Sequence, residues 1–308
     1  MSVNQTSKGR RTAPARPQRT PIENLGRFLR TPKGTVLWVL VALVVLAMIG
    51  TQRHTLPDVL AATVGAAATD IIVSAWRKKP LGFPSGAVIS GLIIAMVLAR
   101  ETPAYVPLVV GMLAVVGKHA VRTRWSNVFN PAVFALLVGG IFFRSGQSWW
   151  GALPYDGMLG FIAVLAGSWY VAAKVNKLPL ALAYLTTAIV AFMVSSFAGA
   201  TAQVAQVFRA PDINALVFFS ALMLTDPPTS PAKREDQLWF GALAGVLAVL
   251  LFLTTGVQWF IFAGLPVANL AESLRRIAAR RAHEAARAGQ TAGTRPASRP
   301  LTPRPDGD

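Results

Sequence analysis

The sequence predicts an all-α, polytopic membrane protein of ten transmembrane helices, with a possible five-plus-five inverted repeat. Three observations lead there. First, 53% of the 308 residues are hydrophobic and only 14% are charged, against about 25% charged in a typical soluble domain. Mean hydropathy is +0.48 although both ends are polar. Second, the apolar residues fall into ten separate stretches. Third, the basic residues collect in alternate connections. Composition therefore excludes a soluble globular enzyme and a disordered chain. With no cysteine there is no disulfide, thiolate metal site or Cys nucleophile. The three histidines, His54, His119 and His283, are far apart in sequence, which argues against a His-based zinc site.

Residues 1–34 read as a disordered basic arm, rich in Pro, Thr and Ser, with Glu23 its one acidic residue. No short apolar run with a small-residue cleavage site follows closely, so it does not read as a signal peptide. Residues 271–308 read as a second basic tail, helix-prone from Glu272 to Ala288 and then Pro/Gly/Thr-rich and disordered. Between them, residues 35–270 form the membrane domain. Its apolar segments lie near 35–51, 57–76, 85–99, 104–117, 130–143, 158–174, 178–197, 212–225, 237–254 and 257–270. A spanning helix needs about 20 residues, so the loops must be short. Segments below that length, 212–225 above all, are expected to be broken or to end in protein-lined cavities.

Orientation follows from charge. With ten spans both termini share a side. If that side is cytoplasmic, 26 of the 30 Lys and Arg residues lie there, and Arg53, Arg100, Arg144 and Arg209 lie outside. Cytoplasmic loops of membrane proteins are enriched in Lys and Arg, and one missed helix would invert half the loops. The net charge of +17 thus reads as topology plus attraction to anionic inner-leaflet lipid. Nucleic-acid binding by the tails is the weaker reading. The expected location is a bacterial plasma membrane, with both termini cytoplasmic.

Candidate chemistry follows the chain. Asp70 lies inside the second segment, about 10 Å from its basic edge at Arg77 given a 1.5 Å rise per residue. A mid-span carboxylate costs on the order of 2.5–3.5 kcal/mol on insertion scales. It reads either as a proton or cation relay or as a structural Asp bonded to Thr69, a helix amide or a Lys near the inner face. The third segment opens on Ser85-Gly86-Ala87 and Ser90-Gly91-Leu92, small residues that let helices approach. After the fourth come Gly117-Lys118-His119, then Asn127 and Asn130-Pro131-Ala132. Asn130 and Pro131 suit a helix N-cap and first turn, and a helix start beside Lys118 and His119 can attract a phosphate, a carboxylate or a reduced flavin. The eighth segment stops at Thr225-Asp226-Pro227-Pro228-Thr229-Ser230-Pro231. The helix dipole disfavours Asp226 there, so a partner is expected from Lys118, His119 or Lys233, unless Asp226 caps a rigid turn. Trp149, Trp150 and Tyr155, after the fifth segment, are expected in an outer aromatic belt. The third and eighth segments look like counterparts, which suggests the repeat.

These motifs, in this order, resemble the D subunit of the Rnf electron transport complex and the B subunit of sodium-translocating NADH:quinone reductase. The similar stretches are Ser85–Leu98, Gly117–Ala132, Leu165–Ala173 with Lys177–Leu180, and Leu222–Leu247; Asp70 falls where those subunits carry an acidic residue before a basic loop. The resemblance covers roughly residues 35–270. It implies a ten-span flavoprotein subunit that passes electrons within a membrane complex, coupled to Na⁺ or H⁺ movement. In this reading Lys118, His119, Asn127, Asn130, Asp226, Thr229 and Ser230 build a cytoplasmic-side site for a noncovalent flavin, FMN or riboflavin, and Asp70 is the ion-coupling candidate. The family joins an FMN to a Thr in the connection after the fifth span. The corresponding stretch here, Phe143–Gly157, contains no Thr, which argues against covalent FMN. Ala198-Gly199-Ala200-Thr201 is similar to the flavin-bearing tetrapeptide but comes two spans later. Two other classes stay open: an ion or solute permease, and a non-catalytic assembly subunit. The tripeptide Asn130-Pro131-Ala132 is similar to that of aquaporins, but they carry two copies on six spans. No catalytic residues and no metal ligands are indicated, and the partners implied are other subunits of an electron transport complex.

Overall fold

The computed structural model of the chain describes residues 26–50, 52–80, 82–122, 127–256 and 259–293. The expectations for most of the N-terminal arm, for the end of the C-terminal tail and for Arg124 lie outside these residues.

Helices follow the apolar stretches closely. They are α1 (Pro32–Ile49), α2 (Leu56–Trp76), α3 (Ser85–Val97), α4 (Tyr105–Ala120), α5 (Pro131–Phe143), α6 (Gly157–Lys174), α7 (Leu178–Ser195), α8 (Thr201–Val207), α9 (Asp212–Leu222), α10 (Arg234–Thr255), α11 (Phe260–Ala263) and α12 (Leu265–Gly293). Among the described residues there is no β-strand beyond two isolated bridges, and the chain is an all-α polytopic membrane protein. Local chemistry sets several starts. The Thr31 hydroxyl accepts from the Gly34 amide at 3.1 Å, with proline in the first turn of α1, and proline likewise opens α2, α5 and α7.

Among the described residues, five stretches are long and apolar enough to cross a membrane: Pro32–Ile49, Arg53–Trp76, Gly157–Lys174, Leu178–Val207 and Arg234–Thr255. By contrast α3, α4, α5 and α9 are shorter apolar helices. The 11 residues of α9 reach only about 16 Å at 1.5 Å per residue, half of a ~30 Å hydrocarbon core. Both α3 and α9 are nearly wholly buried. Helices this short need irregular backbone to complete their paths, which lipid tolerates only where protein or a cavity lines it. The tenth segment is divided: α11 and α12 meet at Gly264, where a Cβ would come 2.7 Å from the Leu247 side chain. Helix α12 then continues well past residue 271, where the sequence suggested that the tail begins.

The same packing scheme appears twice. In the first half α2 lies along α4, and α1 packs on α3; in the second half α7 lies along α10, and α6 packs on α9. Glycine makes both central pairs possible. A Cβ on Gly111 would meet the Ala62 carbonyl oxygen at 2.3 Å, and one on Gly241 would meet that of Leu180 at 2.5 Å. Close backbone approach through small residues holds helices together where lipid offers no hydrophobic drive.

One expectation is corrected. Trp149 and Trp150 are not in an exposed belt; they are 3% and 1% exposed. Trp149 packs on Phe218 and Phe262, and the Trp150 indole N–H donates to the Ala95 carbonyl at 2.7 Å. The short connection after α5 turns inward instead of spreading at the surface, because the half-length helices leave it a space to fill. Tyr155 is half-exposed, with the Arg100 guanidinium 4.4 Å over its ring.

Candidate functional site at the basic end

A cavity of about 450 Å³ opens at the end of the bundle where the lysines gather. It lies between the halves. The start of α1 gives Lys33 and Val36, α3 gives Ile89 and Ile93, and α9 and its following loop give Leu222 and Asp226. Lys118, Asn127 and Asn130 also line it. A mainly apolar hollow of this size with a few convergent polar groups has the form of a small-molecule site.

Of the seven residues proposed for the site, Lys118, Asn127, Asn130 and Asp226 line this cavity. The other three lie close by: Thr229 and Ser230 bond Asp226, and His119 turns toward Asp70. Lys118 and His119 end α4 and turn toward Asp70 on α2. The Lys118 ammonium is 3.1 Å from Asp70 Oδ1 and His119 Nε2 is 3.5 Å from the same oxygen. Neither ring nitrogen of His119, both buried, completes a hydrogen bond among the described residues. Asp70 therefore offsets its mid-span cost through Lys118, one of the structural partners envisaged for it. Lys118 alone belongs to both this pair and the cavity wall.

Asn130 is the N-cap of α5. Its Oδ1 accepts from the Ala132 and Val133 amides at 3.0 and 3.1 Å, and its Nδ2 donates to the Met223 carbonyl at 2.9 Å. Pro131 has no N–H, and the Phe134 amide bonds the Asn130 carbonyl. Every donor of the first turn is thus taken, so the helix start offers no free amide to an anion. An anion would have to find its donors on Lys33, Lys118 and Asn127.

Asp226 does not pair with Lys118, His119 or Lys233. Lys118 is drawn to Asp70, and Asp226 instead closes its own turn. Its Oδ2 accepts from the Thr229 hydroxyl at 3.1 Å, and its carbonyl accepts the amides of Thr229 and Ser230. Burial pushes the Asp226 carboxyl up to about 6, against the opposing pull of the Thr229 hydroxyl and of Lys33, Lys118 and Lys177.

The carbonyls of this proline-rich loop are bound by side chains from three directions. Lys177, buried between α6 and α7, donates to the Ser230 and Pro231 carbonyls; burial lowers its pKa to about 8. Asn269 of α12 donates to the Thr229 carbonyl at 3.2 Å. Arg276 reaches the Pro228 and Ser230 carbonyls at 3.0 and 2.6 Å. Glu272, 1% exposed, holds Arg275 and Arg276 in place, and Arg275 also pairs with Asp236 at 2.8 Å. Sequence reading missed Asn269 and Glu272 because both sit at the border of a stretch taken for a basic tail. The spacing of Glu272 to Arg275 and Arg276, three and four residues on, was the available signal. Among the described residues no group of His, Asp and Glu could hold a metal ion.

Residues 24–160 match the NQR2, RnfD, RnfE family. The resemblance read from the motifs is thereby borne out. That match takes in the whole first half, α1 to α5, including Asp70, Lys118 and Asn130. A relative of the RnfD type, the D subunit of the ion-translocating oxidoreductase complex of Actinobacillus pleuropneumoniae, is 30% identical over 131 residues, which is 39% of this chain and 36% of the relative. The protein of the same name from Methanosarcina acetivorans is 26% identical over 235 residues, 70% of this chain and 77% of the relative. The chain thus aligns with about a third of the first relative's length and most of the second's.

Proposed function

We propose that the chain is an integral subunit of an ion-translocating oxidoreductase complex, acting in flavin-linked electron transport, and that the cavity at the basic end holds a noncovalent flavin, FMN or riboflavin. The observation that carries this reading is the convergence of the motif residues Lys118, Asn127, Asn130 and Asp226 on one cavity between the two halves. The residues fit such a group. Val36, Ile93 and Leu222 supply apolar walls for a ring system, and Lys33 and Lys118 supply cations for a phosphate or a reduced, anionic ring. Flavin contributes one- and two-electron transfer when bound. The names of the two relatives support the complex, whose other subunits are the partners. The positive-inside count supports cytoplasmic termini in a bacterial plasma membrane. Asp70, joined to Lys118, is the ion-coupling candidate: a cation or proton at Asp70 would weaken its hold on the ammonium at the cavity wall.

Against a covalent FMN after the fifth span stand the lack of Thr in Phe143–Gly157 and the burial of that segment's tryptophans. A permease is the second reading, favoured by the paired halves with their broken helices. Absorbance of the purified protein decides between them. A flavin spectrum released on denaturation is expected; a colourless protein that carries solute or ion in proteoliposomes overturns the redox reading.

A further inference from the structure

The two halves invite a search for the cavity's counterpart at the opposite end of the bundle. Residues 144–157 occupy that place. Ser148 and Trp149 amides donate to the Val97 carbonyl at the end of α3, at 3.0 and 3.3 Å. Trp150 bonds the Ala95 carbonyl, and a Cβ on Gly151 would meet the Met96 side chain at 2.3 Å. On α9, Asn214 donates to the Ala152 carbonyl at 2.9 Å, and Phe218 packs on Trp149. Along α3 the cavity ends at Ile93 and this segment begins at Ala95; along α9 the cavity ends at Leu222 and the segment begins at Phe218. Two residues on α3 and four on α9, roughly 3–6 Å of helix rise, separate them. Arg144, Trp149 and Leu153 also have φ of 49°, 50° and 54°. Left-handed backbone at three bulky residues persists only where the surroundings impose it, and such strain gathers at functional positions.

We infer that residues 144–157 form an internal plug that seals the path between the two halves from the non-basic face, so that the cavity's ligand enters and leaves only from the basic face. This rests on the reading of the cavity as a ligand site. The plug's seal is made by the indoles of Trp149 and Trp150, whose removal opens a passage to the thin septum at Ala95 and Ile93.

The chain has no cysteine, so single thiols report accessibility without background. Ser90→Cys, on the cavity wall, and Ala95→Cys, beneath the plug, are exposed to a membrane-impermeant maleimide in sealed vesicles of each orientation, with sidedness read from a C-terminal tag. Ser90→Cys is expected to react only from the basic face. Ala95→Cys is expected to be inert from the opposite face, and to react there at least tenfold faster once Trp149→Ala and Trp150→Ala are added. Reaction of Ser90→Cys from the non-basic face, with the plug intact, overturns the proposal and requires no plug variant to fold. So does inertness of Ala95→Cys in a monodisperse double-alanine variant. Labelling needs no flavin: a colourless protein labelled from one face sinks the flavin reading and keeps the plug, and a flavin-bearing protein labelled from both faces does the reverse.

Discussion

Asp70, Lys118 and Asp226 show how one cation settles two carboxylates differently. Lys118 sits 3.1 Å from Asp70, and Asp226 is left with a neutral hydroxyl donor and only distant lysines. Asp70→Asn is expected to lower thermal stability in detergent by roughly 1–3 kcal/mol, since it strands a partly buried ammonium. Adding Lys118→Gln should recover part of that loss, with a coupling of about 0.5–3 kcal/mol in a double-mutant cycle; strictly additive losses would mean that the pair contributes nothing. For Asp226 the sign runs the other way. A carboxyl raised to about 6 from its ordinary range favours the neutral form in the folded protein. Its contribution is fully present at low pH and is lost as pH rises through about 4 to 6. Ionisation also places a negative charge in the cavity, so affinity for FMN should fall as pH rises through about 6. Asp226→Asn should flatten that profile in a fluorescence-quenching titration. Lys177, lowered to about 8 by burial, should give up its proton there, loosening its hold on the Ser230 and Pro231 carbonyls as the solution becomes alkaline.

Among the elements, the N-cap of α5 joins the two halves. Asn130→Ala is expected to cost about 0.5–2 kcal/mol for the cap and about 1 kcal/mol more for the bond to Met223. Hydrogen exchange should rise at Thr229 and Ser230 as the loop is released, whereas a purely local cap would leave those amides unchanged. Where α10 meets the start of α7, Gly241→Leu must drive atoms into the Leu180 carbonyl and should abolish stable folding, as Gly111→Leu should on the other side. Helix positions were legible in the sequence because apolar length and proline placement act locally. The N-cap role of Asn130 was legible for the same reason. The burial of Trp149 and Trp150 was not, because an aromatic pair between two spans has the same local signature in a belt and in a core. Of the two readings of Asp226, a cationic partner or a rigid turn, the structure has the turn, and the sequence could not choose because competition for Lys118 is decided across three helices. The break at Gly264 hides in an apolar run whose periodicity does not change. Glu272 was overlooked as a core residue because the stretch around it reads as a tail, although its spacing to Arg275 and Arg276 was there to be read.

For the whole molecule, the count of segments and the segregation of charge made the membrane architecture legible before any contact was known. The two-fold scheme was only hinted at, since the halves share packing geometry more than sequence. Both ends of the chain are expected on one face: tags at the two termini should be reached by protease from the same side of a vesicle, and labelling from opposite sides would break the ten-segment topology. The hold of α12 on the proline-rich loop has a mechanical consequence. Asn269 and Arg276 tie this long basic rod to the rim of the cavity, and the rod continues to Gly293, so its far end is a lever arm. A tilt of a few degrees at that end would be carried to the carbonyls of Pro228, Thr229 and Ser230, and so to the doorway of the cavity.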